Sequence, residues 1–135
     1  MKPVTQKVTD GVNGDCFGAC VASILELGDN YPNFHRKDRG PWMDQWNDFL
    51  QPLNLELLYI PGGHPPPNGY AIMSVKSVNF PGVQHSVVWH GDGRGGGSIV
   101  YDPSPLKKAE EADPIGWFAF GVLDPIKKED TRWEP

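Results

Sequence analysis

Apolar positions are spread unevenly along the chain. From Cys16 to Leu27 they run almost unbroken, and Glu26 is the only charged side chain among them. The stretch holds Ala, Leu and Ile but no proline, which predicts a helix over 16–27 stopped by Gly28. Cys16, Cys20 and Ile24 share one face of it, and Phe17 and Val21 the neighbouring one. A helix apolar on all sides belongs in the middle of a domain. Asn13 or Asp15 is placed to cap its start, which puts Cys16 in the first turn. A second, amphipathic helix is predicted over 41–50, with Pro41 as first helical residue and Trp42, Trp46, Phe49 and Leu50 at helical spacing. Tryptophans at that spacing usually pack a core.

Beyond Leu50 the pattern turns to short apolar runs of strand length. Residues 55–60, 70–77, 84–90, 98–102 and 115–123 are predicted strands. Residues 1–13 read as extended and then looped, and 29–40 as polar and irregular. The run Pro61-Gly62-Gly63-His64-Pro65-Pro66-Pro67-Asn68-Gly69 can be neither helix nor strand and is expected as a stiff loop. Gly91–Gly97 superficially resembles a phosphate-binding loop. Such loops lead from a strand into a helix, however, and here both flanks are strands, so a hairpin is expected. Helices first and strands after predict an α+β fold, two helices packed on an antiparallel sheet, in a single domain over 1–135.

Composition adds exclusions. Glycine and proline, 16 and 14 of 135 residues, require many turns. A net charge of −5 without a basic cluster argues against nucleic acid as partner. No apolar run reaches membrane-spanning length, and the N-terminus lacks the apolar stretch of a secretion signal, so a cytoplasmic protein is expected. The two cysteines stand four apart on one helix face, a poor geometry for a disulfide and suited to reduced thiols. No second Cys/His pair stands at zinc-finger spacing, so neither metal nor cofactor is expected.

Chemistry enters through Cys16. A thiol in a helix's first turn lies among unpaired N–H groups that favour the thiolate. The alternative is that both cysteines simply pack the core. A base would decide between the two. His35 and His64 fall in polar loops and are expected to face solvent, whereas His85 opens an apolar strand. A hairpin centred near Gly93 and Arg94 places His85 opposite Asp102. His90 falls on the other face of its strand by alternation. Cys16, His85 and Asp102 thus provide nucleophile, base and orienter. The Cys16 N–H and the Gln6 amide are candidate oxyanion donors, with Asn13 and Asn79 as further ones.

In this order and setting the chain resembles the papain-like cysteine peptidases. There a Gln precedes a Cys heading the central helix, a His begins a later strand, and an Asn or Asp sits on the next. Cys16-Phe17-Gly18-Ala19-Cys20-Val21-Ala22-Ser23-Ile24-Leu25, His85-Ser86-Val87-Val88 and Asp102-Pro103 are similar to small stand-alone phage and bacterial members. Bacteriocin-processing peptidase domains look like more distant relatives. Gln6 lies ten residues before Cys16, with Asp10 occupying the usual place of the Gln, and Phe17 stands where Gly or Trp is usual. The resemblance implies a papain-like fold and a cytosolic thiol hydrolase of peptide, isopeptide or side-chain amides, in a host cytoplasm if phage-encoded. Loops 29–40 and 61–69 either flank its cleft or merely connect. Two other functions are open: a peptidoglycan amidase of CHAP type, and a non-catalytic papain-like module such as a phage protein that blocks a host factor.

Overall fold

A computed structural model describes residues 1–9, 14–35, 41–106 and 113–124. Helix α1 spans Cys16–Leu25 and helix α2 spans Trp42–Leu50, the latter followed by a 3₁₀ turn over Gln51–Leu53. Five strands follow: β1 (Leu55–Pro61), β2 (Gly69–Lys76), β3 (Gln84–Gly91), β4 (Gly97–Tyr101) and β5 (Gly116–Val122). They form one antiparallel sheet in the order β1-β5-β2-β3-β4. The expected α+β arrangement of two helices on an antiparallel sheet is therefore present.

The helix ends differ from expectation for local reasons. Glu26 takes a left-handed conformation with φ 58°, and the Leu27 N–H bonds back to the Ala22 carbonyl at 2.9 Å. This closure ends α1 before Gly28 is reached and folds Leu27 onto the core. Pro41, with φ −69° and ψ 96°, stands in extended conformation just outside α2. The Asp15 side chain caps no N–H of α1, and Asn13 lies outside the described residues.

The main core lies between helices and sheet. Phe17, Cys20 and Val21 of α1 and Trp46 and Leu50 of α2 meet Leu57, Ile72 and Val88. Trp46 and Leu50 are fully buried, each contributing on the order of 2–3 kcal/mol. Pleating sends the intervening residues Met73, Val75, Val87 and Trp117 to a second cluster.

Residues 1–8 form an extended strap along α1. Lys2 N–H donates to the Ser23 carbonyl at 3.0 Å, and Val4 N–H to Ser23 Oγ at 2.9 Å. Gln6 N–H donates to the Pro103 carbonyl at 2.9 Å. Gly91–Gly97 is a hairpin connection. Asp92 Oδ1 accepts from Arg94 N–H at 2.7 Å and Gly96 N–H at 3.2 Å. Gly91 itself must be small, because a Cβ there would lie 1.9 Å from the Pro67 carbonyl oxygen. Among the described residues, no helix is long and apolar enough to cross a membrane.

Candidate active site

The head of α1 meets the start of β3 and the residues just past β4. The β3–β4 ladder runs one position off the expected register, with His90 opposite Ser98 and Gly91 opposite Gly97. It slips again at a bulge between Val88 and Trp89, which brings Tyr101 opposite Val88. Since β4 ends at Tyr101, Asp102 is not a ladder partner of His85. The two side chains nevertheless meet, His85 Nε2 and Asp102 Oδ1 being 2.7 Å apart at 9% and 4% exposure. The same carboxylate oxygen accepts the Ser104 N–H at 2.9 Å.

Cys16 completes the group. Its thiol lines one cleft with the His85 ring and Ser86. Burial pushes the Cys16 thiol up, but the hydrogen bond and charge of His85, with the two Ser86 donors, bring it below its ordinary 9.0. For His85, burial favours the neutral ring. Hydrogen bonds and charges from Asp102 and Cys16 overcome it, and the ring is pushed up to about 9. With Nε2–H given to Asp102, Nδ1 is the ring atom left to take the thiol's proton. Cys20 is different: burial pushes it well above its ordinary value, and the charges of Cys16 and Asp102 push the same way. Neither cysteine is in a disulfide.

Cys16, His85 and Ser86 open on a cleft of about 280 Å³ that Gln6, Asn79 and Ser104 also line. Gln6 is 8% exposed, and its Nε2 donates one hydrogen to the Val8 carbonyl at 2.8 Å. The second amide hydrogen remains for another acceptor. Its Oε1 is buried with no partner among the described residues. Asp10 and Asn13 lie outside the described residues.

One wall of the cleft is aromatic. Phe17 lies 4.6 Å from His35, 5.3 Å from Trp42 and 5.2 Å from Phe118, centroid to centroid. His35 lies 4.3 Å from Trp42. This corrects the expectation of a solvent-facing His35: the ring is packed among aromatics, and its Nε2 accepts Trp46 Nε1–H at 2.8 Å. Burial holds it down to about 4, so it is a neutral acceptor near pH 7. His64 is exposed, as expected of its loop, and so is His90, which meets Tyr70 edge-on at 4.7 Å.

Of the two loops considered for specificity, 29–40 reaches the cleft through His35, its residues 36–40 lying outside the description. No residue of 61–69 lines the cleft; Pro67 instead receives Trp89 Nε1–H at 3.4 Å. Ser86, His35 and Asp15 were not singled out for the site from sequence. Ser86 and Asp15 carried one signal in the sequence, their adjacency to His85 and to Cys16. Among the described residues, no three His, Cys, Asp or Glu side chains are grouped to hold a metal ion. Comparison of the chain with protein-family models, curated proteins and solved structures finds no match.

Proposed function

We propose that the chain is a thiol hydrolase of amide bonds on a papain-like fold, with Cys16 as nucleophile, His85 as base and Asp102 as orienter. The observation that carries this reading is the position of His85, bonded through Nε2 to a buried carboxylate and lining one cleft with the Cys16 thiol, whose pKa it lowers. The thiol proton passes to the ring, and the thiolate adds to the amide carbonyl carbon. Collapse of the tetrahedral oxyanion breaks the C–N bond as the imidazolium protonates the departing amine. Water, deprotonated by His85, then adds to the thioester and expels the thiolate, leaving a carboxylic acid. The Gln6 amide and the Cys16 N–H are the proposed oxyanion donors. A peptide or protein chain is the proposed substrate. Phe17, Trp42 and Phe118 offer it an apolar wall without charge.

Iodoacetamide labelling across pH, read by mass spectrometry, tests the reading. Cys16 is expected to alkylate well below the pH of an ordinary thiol while Cys20 stays protected, and Cys16→Ala is expected to abolish turnover of a peptide-amide library. Equal, slow alkylation of both cysteines would refute it.

A further inference from the structure

Asp15 directly precedes the nucleophile, yet its carboxylate turns away from the helix it begins. It is 3% exposed and accepts Lys7 N–H at 3.0 and 3.1 Å through its two oxygens. Val8 N–H reaches Oδ1 at 2.9 Å, and Tyr31 O–H reaches Oδ2 at 2.7 Å. The Asp15 backbone N–H meets the Val8 carbonyl at 3.4 Å. That carbonyl also receives Gln6 Nε2–H. Asp15 therefore grips Val8 from both sides, and Val8 in turn fixes the plane of the Gln6 amide. On the other side, Gln6 N–H is held by Pro103, next to Asp102.

We infer that Asp15 is a positioning residue for the oxyanion hole: through Val8 it orients the second Gln6 amide hydrogen toward an acyl group on Cys16. The inference rests on the thiol-hydrolase reading. A helix cap would spend this carboxylate on the first-turn N–H groups, and here it takes none of them. A charged acceptor buried with three donors holds its partners tightly. Misplacing a donor by about 1 Å costs on the order of a hundredfold in rate.

Two reactions of Cys16 separate positioning from nucleophilicity. Iodoacetamide is displaced directly, iodide leaving as the C–S bond forms, and no oxyanion develops. With p-nitrophenyl acetate the thiolate adds to the carbonyl carbon, an oxyanion forms, and p-nitrophenolate departs to leave an acetyl thioester. Asp15→Asn is expected to alkylate within about twofold of the parent and to acylate at least about tenfold more slowly. Tyr31→Phe, which removes the O–H donor to Asp15 Oδ2 and leaves Asp15 and the strap intact, is expected to show the same split and stands in if Asp15→Asn fails to fold. Equal loss in both reactions, or no loss in acylation, would overturn the inference. A parent whose Cys16 reacts with neither reagent would overturn the hydrolase reading and the positioning role with it.

Discussion

Asp102→Asn isolates the group that charges the proposed base. The substitution keeps the side chain's shape, and Asn Oδ1 can still accept the Ser104 N–H that Asp102 holds at 2.9 Å. What disappears is an anion 2.7 Å from His85 Nε2. Raising His85 from 6.5 to about 9 corresponds to about 3 kcal/mol in favour of the imidazolium, achieved against burial. Asp102 and the Cys16 thiolate supply it between them. Loss of Asp102 therefore removes on the order of 1–2 kcal/mol, roughly a five- to thirtyfold drop in the thiolate–imidazolium pair. The sign follows: a less stable imidazolium stabilises the thiolate less, so the thiol ionises at higher pH.

The assay is the rate of Cys16 alkylation by iodoacetamide from pH 4 to 10, followed by intact mass. The parent midpoint is expected below 9 and the Asp102→Asn midpoint about one pH unit higher, with thermal unfolding confirming that the variant is folded. Under the hydrolase reading, amide hydrolysis is expected to fall further than alkylation, because it needs the imidazolium again, to protonate the departing amine. An unchanged midpoint, or one that moves down, would refute this account.

Three further substitutions probe the surroundings. His35 sits near 4 because of burial, so its neutral form contributes stability that is fully present above pH 6.5 and is lost as pH falls through 4, at most about 3 kcal/mol. His35→Gln, which keeps an acceptor for Trp46, is expected to show a smaller loss of denaturant midpoint between pH 7 and 4 than the parent. Gly18→Ala gains about 1 kcal/mol of helix propensity, but its Cβ would lie 2.8 Å from the Pro32 carbonyl oxygen and 2.9 Å from the Tyr31 ring. Overpacking of about 1–3 kcal/mol should prevail, and a raised melting temperature would contradict that close approach. Cys20→Ala is expected to cost about 1–2 kcal/mol while leaving one alkylatable thiol per chain with an unchanged rate, checked by unfolding and mass spectrometry.

The elements were largely legible because periodicity and turn chemistry are local. The switch of spacing after Leu50 marks where helices give way to strands, and the glycines around Arg94 mark the hairpin. The β3–β4 register was less legible, because the bulge between Val88 and Trp89 depends on packing across the sheet. His85 and Asp102 meet anyway, because the side chain of Asp102 reaches back from beyond the strand end. The character of His35 was hidden for a related reason. Its neighbours in sequence are polar, but Phe17, Trp42 and Trp46 surround it in the fold. Asp15 read as a cap because capping is the local use of an aspartate at a helix start. Its actual partners at Lys7, Val8 and Tyr31 come from the strap and the loop after α1.

Cys16 and Cys20 form an internal comparison that tests which part of the arrangement matters. Both sit on α1, one turn apart, and burial pushes each thiol up. Among the described residues nothing offsets burial at Cys20, and the neighbouring charges of Cys16 and Asp102 raise it further. Cys16 differs in reaching His85 and Ser86, and its direction reverses. The lowering is thus accounted for by contacts that only the folded β3 can make, without appeal to the helix start. An imidazolium supported by Asp102 is the larger part of those contacts. It follows that the reactivity of Cys16 at low pH should vanish on unfolding together with the sheet, leaving an ordinary thiol, whereas a lowering due to α1 alone would survive wherever the helix does.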